Sequence, residues 1–410
     1  MRPTRIRMRR ACVAAAAAGL LIAPAVAGSA YGATAPAVSA APSPSGDTEF
    51  PQLTPAVAAR LDAAIRQVMK EAAVPGVTVG LWAPGKGSYV KSFGVADKAT
   101  GAPMTPDLGV RIGSETKTFT VTALLQLVDQ GKLALDDPIG KYISGVPNGD
   151  RITLRELAGM RSGLFNYSED PGFDKELNGT STFTPQQLLD ISFKHPVNFE
   201  PGAKFEYSNT NLILLGLLVE KITGRPIQEV IDQDVVKPAG LSGRTLFPVG
   251  TEFPEPHAHG YTNDLPSGKI VDATDWNPSW AWAAGAMVSD LQDLRSWAKT
   301  LATGTLLTPA TQAERLKTQP IGIIPGAGYG LGIFDVQGWI GHNGSLPGYE
   351  TLTVYLPEEQ ATMVIVLNTD DLYKGQEPST LFGEAVTGIV TPGHLYPGHK
   401  PAEDKSAKSG

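Results

Sequence analysis

Apolar runs of strand length lie near both ends of this 410-residue chain, and the stretch between them reads as helices and loops. Near the start, residues 77–82 and 89–95 flank Pro84-Gly85-Lys86-Gly87, the pattern of a hairpin. Near the end come residues 328–336, 350–356 and 362–368, the last two joined by Pro357-Glu358-Glu359-Gln360. A strand cannot leave its backbone groups and its apolar face unpaired, so this distribution calls for one sheet assembled from both ends of the chain. The helical stretch is then an insertion between strands, and a cleft lies between two lobes of an α+β fold.

The helices are placed by their caps and spacing. Thr54 caps a helix with Pro55 at its first position, and Val57, Leu61, Ile65, Val68 and Met69 recur at helical spacing until Pro75-Gly76. Residues 119–127 are strongly apolar and end at Asp129-Gln130-Gly131, a glycine stop. Residues 212–219 are apolar on nearly every face, which means burial rather than a surface stripe, and Gly224 closes them. Further helices are expected over 290–301 and 381–390, and there is no internal repeat.

The two ends of the chain have a different character. Arg2, Arg5, Arg7, Arg9 and Arg10 precede an Ala-rich apolar run over 11–27, with small residues at Ala25, Ala27, Ala30 and Gly32. This is the pattern of a secretory signal peptide, here 1–33, and its weakly apolar run is short for a stable membrane anchor. Residues 34–52 are Ala/Pro/Ser-rich and read as a flexible linker, leaving 53–390 as one catalytic-sized domain and 391–410 as a disordered tail. The single cysteine, Cys12, falls in the signal, so an exported protein without disulfides must rely on its core. A net charge of −7 argues against nucleic acid as a partner, because a phosphate backbone needs a surplus of Lys and Arg.

Three short motifs carry chemistry. Gly113-Ser114-Glu115-Thr116-Lys117 opens the helix at 119–127, and Ser114 and Lys117 at i and i+3 share one helical face. A serine hydroxyl is a poor nucleophile until a base takes its proton, and a desolvated lysine is such a base. The helix N-terminus adds amide donors for an oxyanion. Read alone, Ser114 is a helix cap and Lys117 a solvated side chain, because the S-x-x-K spacing is common by chance. Tyr207-Ser208-Asn209 follows Pro201-Gly202, and its alternate side chains, Tyr207 and Asn209, point the same way. Read alone, Tyr207 is a half-buried aromatic. His342-Asn343-Gly344-Ser345 follows Trp339-Ile340, with a cationic or donor imidazole facing the cleft, Gly344 admitting a substrate backbone and the Ser345 amide available as an oxyanion donor.

Taken together, in this order and at intervals of about 90 and about 130 residues, the motifs make the chain resemble the penicillin-recognising serine hydrolases. Within them it is most similar to the actinobacterial serine D-alanyl-D-alanine carboxypeptidases and their class C β-lactamase and esterase relatives. The likeness runs from about Leu53 to about Val390 and includes Arg161-Ser162-Gly163-Leu164 and Ala284-Gly285-Ala286. The resemblance implies a β-lactamase/transpeptidase-like fold, an antiparallel sheet flanked by helices plus an all-α lobe inserted at about 115–285. It implies Ser114 as the acylated nucleophile, Lys117 and Tyr207 as the proton-transfer pair, and Asn209 and His342 lining the cleft. The Ser114 and Ser345 amides would form the oxyanion hole, and Trp280 resembles the aromatic wall of the family's substrate cleft.

The third motif departs from the family's Lys-Thr-Gly and His-Thr-Gly. Phe334 stands where a carboxylate-binding Arg is expected, and no Lys or Arg occurs between Lys317 and Lys374. A free C-terminal carboxylate therefore has no evident bidentate partner. The expected function is a secreted serine acyl hydrolase, a penicillin-binding D-alanyl-D-alanine carboxypeptidase in the first reading. An esterase or β-lactamase of the same fold and a non-catalytic peptidoglycan- or penicillin-binding module are the alternatives. Its partners would be a small peptide, ester or β-lactam, and cell-wall peptidoglycan. No cofactor or metal is implied: His257 and His259 read as solvated loop histidines, and Trp276, Trp280 and Trp282 as either core or a stacking stripe.

Overall fold

The computed structural model describes residues 50–173, 179–241, 244–265, 268–322 and 324–396. The expected signal (1–33), the linker up to residue 49 and the tail from residue 397 lie outside the described residues. Thr54 caps helix α1 (Pro55–Ala72) by accepting from the Val57 amide, and Ala73 ends it in the left-handed conformation. Its apolar stripe, Leu61 and Ile65, is fully buried, each side chain contributing about 1.5–3 kcal/mol.

The two ends of the chain meet in one eight-stranded antiparallel sheet. Its strands are β1 (Gly76–Ala83), β2 (Gly87–Gly94), β3 (Gln319–Pro320), β4 (Ala327–Tyr329), β5 (Phe334–Val336), β6 (Trp339–Leu346), β7 (Tyr349–Leu356) and β8 (Ala361–Leu367). Their order across the sheet is β2-β1-β8-β7-β6-β5-β4-β3. The closure of the chain on itself is the β1–β8 pairing, Val77 opposite Leu367 through Trp82 opposite Thr362. Strands β7 and β8 are buried at every position: β8 reads as a nearly continuous apolar run, and β7 buries Glu350, Thr351 and Thr353 along with its apolar residues.

Both faces are covered. Helix α1 and the closing helix α6 (Pro378–Val390) pack together on one face, where Leu352 meets Gly383. Helix α5 (Leu291–Thr303) covers the other, where Ala298 and Ala302 pack on Tyr355. On that second face, helix α2 (Thr116–Asp129) joins the sheet to the inserted lobe, whose helices include α3 (Pro185–Phe193) and α4 (Asn209–Thr223). Helix α4 buries Leu212 to Leu215 in succession, the all-round burial expected of it.

Four expectations change. Residues 328–336 are not one strand but the β4–β5 hairpin, turned at Gly330–Gly332 with Gly332 at φ +69°. The histidine motif lies within a full strand, β6, that the weak apolar signal of Trp339-Ile340 concealed. The insertion returns to the sheet lobe before residue 285: Tyr261–Thr262 pairs with Val271–Asp272, the Tyr261 amide donates to Asn368 O, and Val288–Ser289 pairs with Val110–Arg111. These strands are two residues long, too short to carry a period. The last change is at the ends, where packing extends beyond the expected limits: Phe50 is fully buried, and Thr391 and Tyr396 are buried past α6.

Candidate active site

The nucleophile segment is held rigidly before α2 begins. Val110–Arg111 pairs with Val288–Ser289, and the Ile112 amide donates to Met287 O. Gly113 then turns at φ +52° into a single 3₁₀ turn (Gly113–Glu115) that runs into α2. A side chain at Gly113 would place its Cβ 2.6 Å from the Ser345 nitrogen, so glycine is required both by backbone conformation and by the approach of β6. The same contact puts the Ser345 amide beside the Ser114 turn. The Ser114 amide lies in that turn, so the backbone N–H groups of Ser114 and Ser345 both belong to the segment around the nucleophile.

Lys117 is completely buried. Its Nζ donates to Ser114 Oγ at 2.8 Å and to Ala284 O at 2.7 Å, and lies 4.9 Å from the centre of the Tyr207 ring. The first motif and the tyrosine of the second therefore meet around one nitrogen. The Ala284 carbonyl comes from a tight passage in which Trp282 adopts φ +34°, and Ala283 O accepts from Thr120 of α2. Ala284 is a partner that no side-chain motif could announce. Asn209 opens α4: its amide donates to Asn166 Oδ1 and its Nδ2 to Ser168 Oγ. Segment 162–168 thus clamps the tyrosine motif, with Thr210 Oγ1 donating to Phe165 O.

His342 differs from its expected role. It is 1% exposed, on the face of the sheet that carries Thr353, and is enclosed by Tyr329, Phe334 and Tyr207. Burial, reinforced by the charge of Lys117, lowers its pKa to about 3, so it is neutral. Its Nδ1 lies 2.5 Å from Asn343 O. A carbonyl only accepts, so Nδ1 carries the proton and Nε2 receives the Tyr329 hydroxyl at 3.2 Å. His342 is therefore a neutral support behind Tyr207 rather than a cation lining the cleft. The cause is strand alternation, which turns it under the aromatic rings instead of out to solvent.

Gly344 also acts differently from the expectation. Its missing side chain makes room for Ile112 O, which a Cβ would meet at 1.9 Å; the close approach is internal, not to a substrate. Thr351 Oγ1 donates to the same Ile112 carbonyl. Ser345 faces the opposite side of the sheet with its cross-strand partner Glu350, so it offers the site its amide and not its hydroxyl. Strand β5 pairs with only Trp339–Gly341 of β6, so from His342 onward that edge carries no strand and can accept an extended chain. Trp280 is 6% exposed, stacked edge-on against Phe173, with its carbonyl accepting from Tyr167. It is core of the helical lobe rather than cleft wall.

Three residues were not anticipated. Tyr329 forms an aromatic cluster with Phe205, Tyr207 and the partly buried Phe334. Arg315 is fully buried and donates to Thr118 O and Thr122 Oγ1, tying β4's neighbourhood to α2. Glu115, next to the nucleophile, is fully buried, and burial raises its pKa to about 8 while the Thr351 and Thr353 hydroxyls pull the other way. Of the three, only Glu115 lies within one of the sequence motifs. Of the two loop histidines, His259 pairs with Asp272 at 2.7 Å and His257 stacks on Phe253. Among the described residues no group of His, Cys, Asp and Glu is arranged to hold a metal.

The family model described as Beta-lactamase matches residues 61–380. A D-aminopeptidase of Brucella anthropi is 28% identical over 317 residues, covering 75% of this chain and 59% of that protein. The chain thus spans less than two thirds of that curated relative's length. Among solved structures, a D-stereospecific amidohydrolase from Streptomyces sp. matches with 32% identity and a TM-score of 0.69, over 76% of this chain and 96% of that one. A D-amino acid amidase from Ochrobactrum anthropi SV3, complexed with D-phenylalanine, matches with 28% identity and a TM-score of 0.70, over 81% and 99%.

Proposed function

The chain belongs to the Beta-lactamase family, and from that membership we propose that it is an exported serine hydrolase that cleaves amide bonds of small D-amino-acid derivatives through an acyl-enzyme at Ser114. The observation that carries the reading is the buried Lys117 Nζ, 2.8 Å from Ser114 Oγ and over the Tyr207 ring. Ser114 Oγ attacks the substrate carbonyl while its proton passes to the Lys117–Tyr207 pair. The Ser114 and Ser345 amides hold the oxyanion. On collapse, the C–N bond breaks and the pair returns the proton to the departing amine. Water then attacks the ester by the reverse path, releasing the acid and Ser114.

An amide without a terminal carboxylate is favoured over the D-alanyl-D-alanine end expected of a carboxypeptidase. Phe334 borders the site beside His342, and Arg111 and Arg315 are buried and donate to Thr274 O and to α2. The relatives named for D-amino acid amides and D-aminopeptidase activity support the same choice. Export rests on the Arg-rich start and the Ala-rich run of residues 11–27.

The test is one set of turnover measurements on purified protein: D-phenylalanine amide, a D-alanyl-D-alanine peptide, a thioester and a cephalosporin. Fastest turnover of the D-amide, together with a fluorescent penicillin adduct located by mass at Ser114, is expected. A preference for the D-alanyl-D-alanine peptide restores the carboxypeptidase reading, and an adduct elsewhere or none at all ends the acyl-enzyme one. Amino-terminal sequencing of protein collected outside the cell should find a start between Ala27 and Thr34.

A further inference from the structure

The loop carrying Tyr207 is bracketed by a single residue. Met160 O accepts from the Glu206 amide at 2.9 Å, and Met160 Sδ accepts from the Ser208 amide at 3.5 Å. Those are the peptide N–H groups immediately before and after the tyrosine motif's first residue. The same sulfur receives Asn211 Nδ2 at 3.6 Å, and Asn211 is fixed in turn by Ser162 Oγ at 2.6 Å and by Leu157 O.

Met160 reaches both amides from an unusual backbone. It follows Gly159, the C-cap of the short helix Leu154–Ala158, and stands at φ +58°. That left-handed position after a helix is where glycine or asparagine is common, and a long side chain is strained there. Glycine would relieve the strain and supply no sulfur. Met160, Ser208 and Asn211 are all buried, so the Ser208 amide has no water to fall back on. Strain of this kind persists where the surroundings over-determine it, often beside a functional site.

We propose that Met160 is a positioning residue for acyl transfer, holding the Tyr207 ring over Lys117 Nζ through the amides on either side of it. This rests on the acyl-enzyme reading above. Met160→Leu keeps apolar bulk and removes the acceptor, whereas Met160→Gln places an acceptor oxygen at similar reach. Positioning and simple packing therefore predict opposite orders of activity.

The experiment measures acylation by a fluorescent penicillin and hydrolysis of D-phenylalanine p-nitroanilide from pH 5 to 10. The expected result is a fall in Met160→Leu of about tenfold or more in acylation rate and kcat with KM little changed. Its pH profile should be displaced, and Met160→Gln should recover most of the loss. Leu remaining within about threefold of the parent at every pH, or Leu outperforming Gln, overturns the proposal. If Met160→Leu does not fold, methionine is replaced throughout by norleucine in the parent and in Met160→Gln. A loss confined to the parent supports the bracket, and an equal loss in both overturns it. A parent that is never acylated at Ser114 speaks against the proposed function instead, and separates the two failures.

Discussion

Gly344→Ala gives the sharpest single test of how the site is assembled. A Cβ at this position would lie 1.9 Å from Ile112 O, 2.8 Å from the Ile112 carbon and 2.8 Å from Thr351 Oγ1. Real Cβ contacts are essentially never below 3.0 Å, so β6 and the nucleophile segment must separate by at least about 1.1 Å. The neighbouring residue on β6 is Ser345, whose amide adjoins Gly113. A displacement of that size takes an oxyanion donor from hydrogen-bonding range to beyond it. Losing one such donor costs about 100- to 1000-fold in kcat, or about 2.7–4 kcal/mol of transition-state stabilisation. Overpacking itself costs about 1–3 kcal/mol of stability, which a thermal melt reads separately. The assay is the acylation rate with a fluorescent penicillin and kcat with D-phenylalanine p-nitroanilide, on protein shown by circular dichroism to be folded. KM should change little, because the donor acts on charge that develops only in the transition state. A folded Gly344→Ala enzyme retaining acylation within about threefold would mean that the Ser345 amide is not an oxyanion donor.

Lys117→Met keeps the buried stem but removes the hydrogen bonds to Ser114 Oγ and Ala284 O. Acylation should fall by at least about 1000-fold, and an intact-mass scan should find no penicillin adduct after a short exposure. Glu115→Gln should flatten the pH dependence of stability. The folded carboxyl titrates at about 8, above the usual range, so its contribution is full below about pH 4.5 and is lost as the pH rises through 8. Melting curves of the parent should therefore decline more steeply than those of the variant between about pH 4.5 and 8, the difference being no more than about 1.4 kcal/mol per pH unit, because the other buried carboxyls, Glu350, Asp370 and Glu377, are raised in both proteins. His342 works in the opposite sense, its depressed pKa weakening the fold as the pH falls from about 6.5 toward 3. Phe334→Arg should raise kcat/KM for a D-alanyl-D-alanine peptide relative to a D-amide by about tenfold, one charge-assisted contact; an unchanged ratio would remove the carboxylate argument.

Much of the framework was legible because it rests on local rules. Thr54-Pro55 and the stripe from Val57 to Met69 specify α1, and the Pro84–Gly87 turn specifies the hairpin. The unbroken apolar run at 212–219 reports a helix buried on all sides. Strand β6 was hard to see because glycines and polar residues occupy the positions where it adjoins Ser114, so its function erases its pattern. Nothing local marks His257 and Tyr261 as belonging to the sheet lobe, since their pairing partners, Gly109 and Asn368, lie far away in sequence.

Residue types and spacing alone determined that a serine, a lysine and a tyrosine of the right chemistry exist at helix starts and glycine turns, and that both ends of the chain share one sheet. Tertiary structure decided what each becomes. It buried Lys117 against Ala284 O, made His342 neutral, turned Trp280 inward, and assigned Gly344 to a contact between backbones. The physical reason is that charge state and contact depend on how much water burial removes, and burial is set by which distant segments pack together, not by the neighbours along the chain.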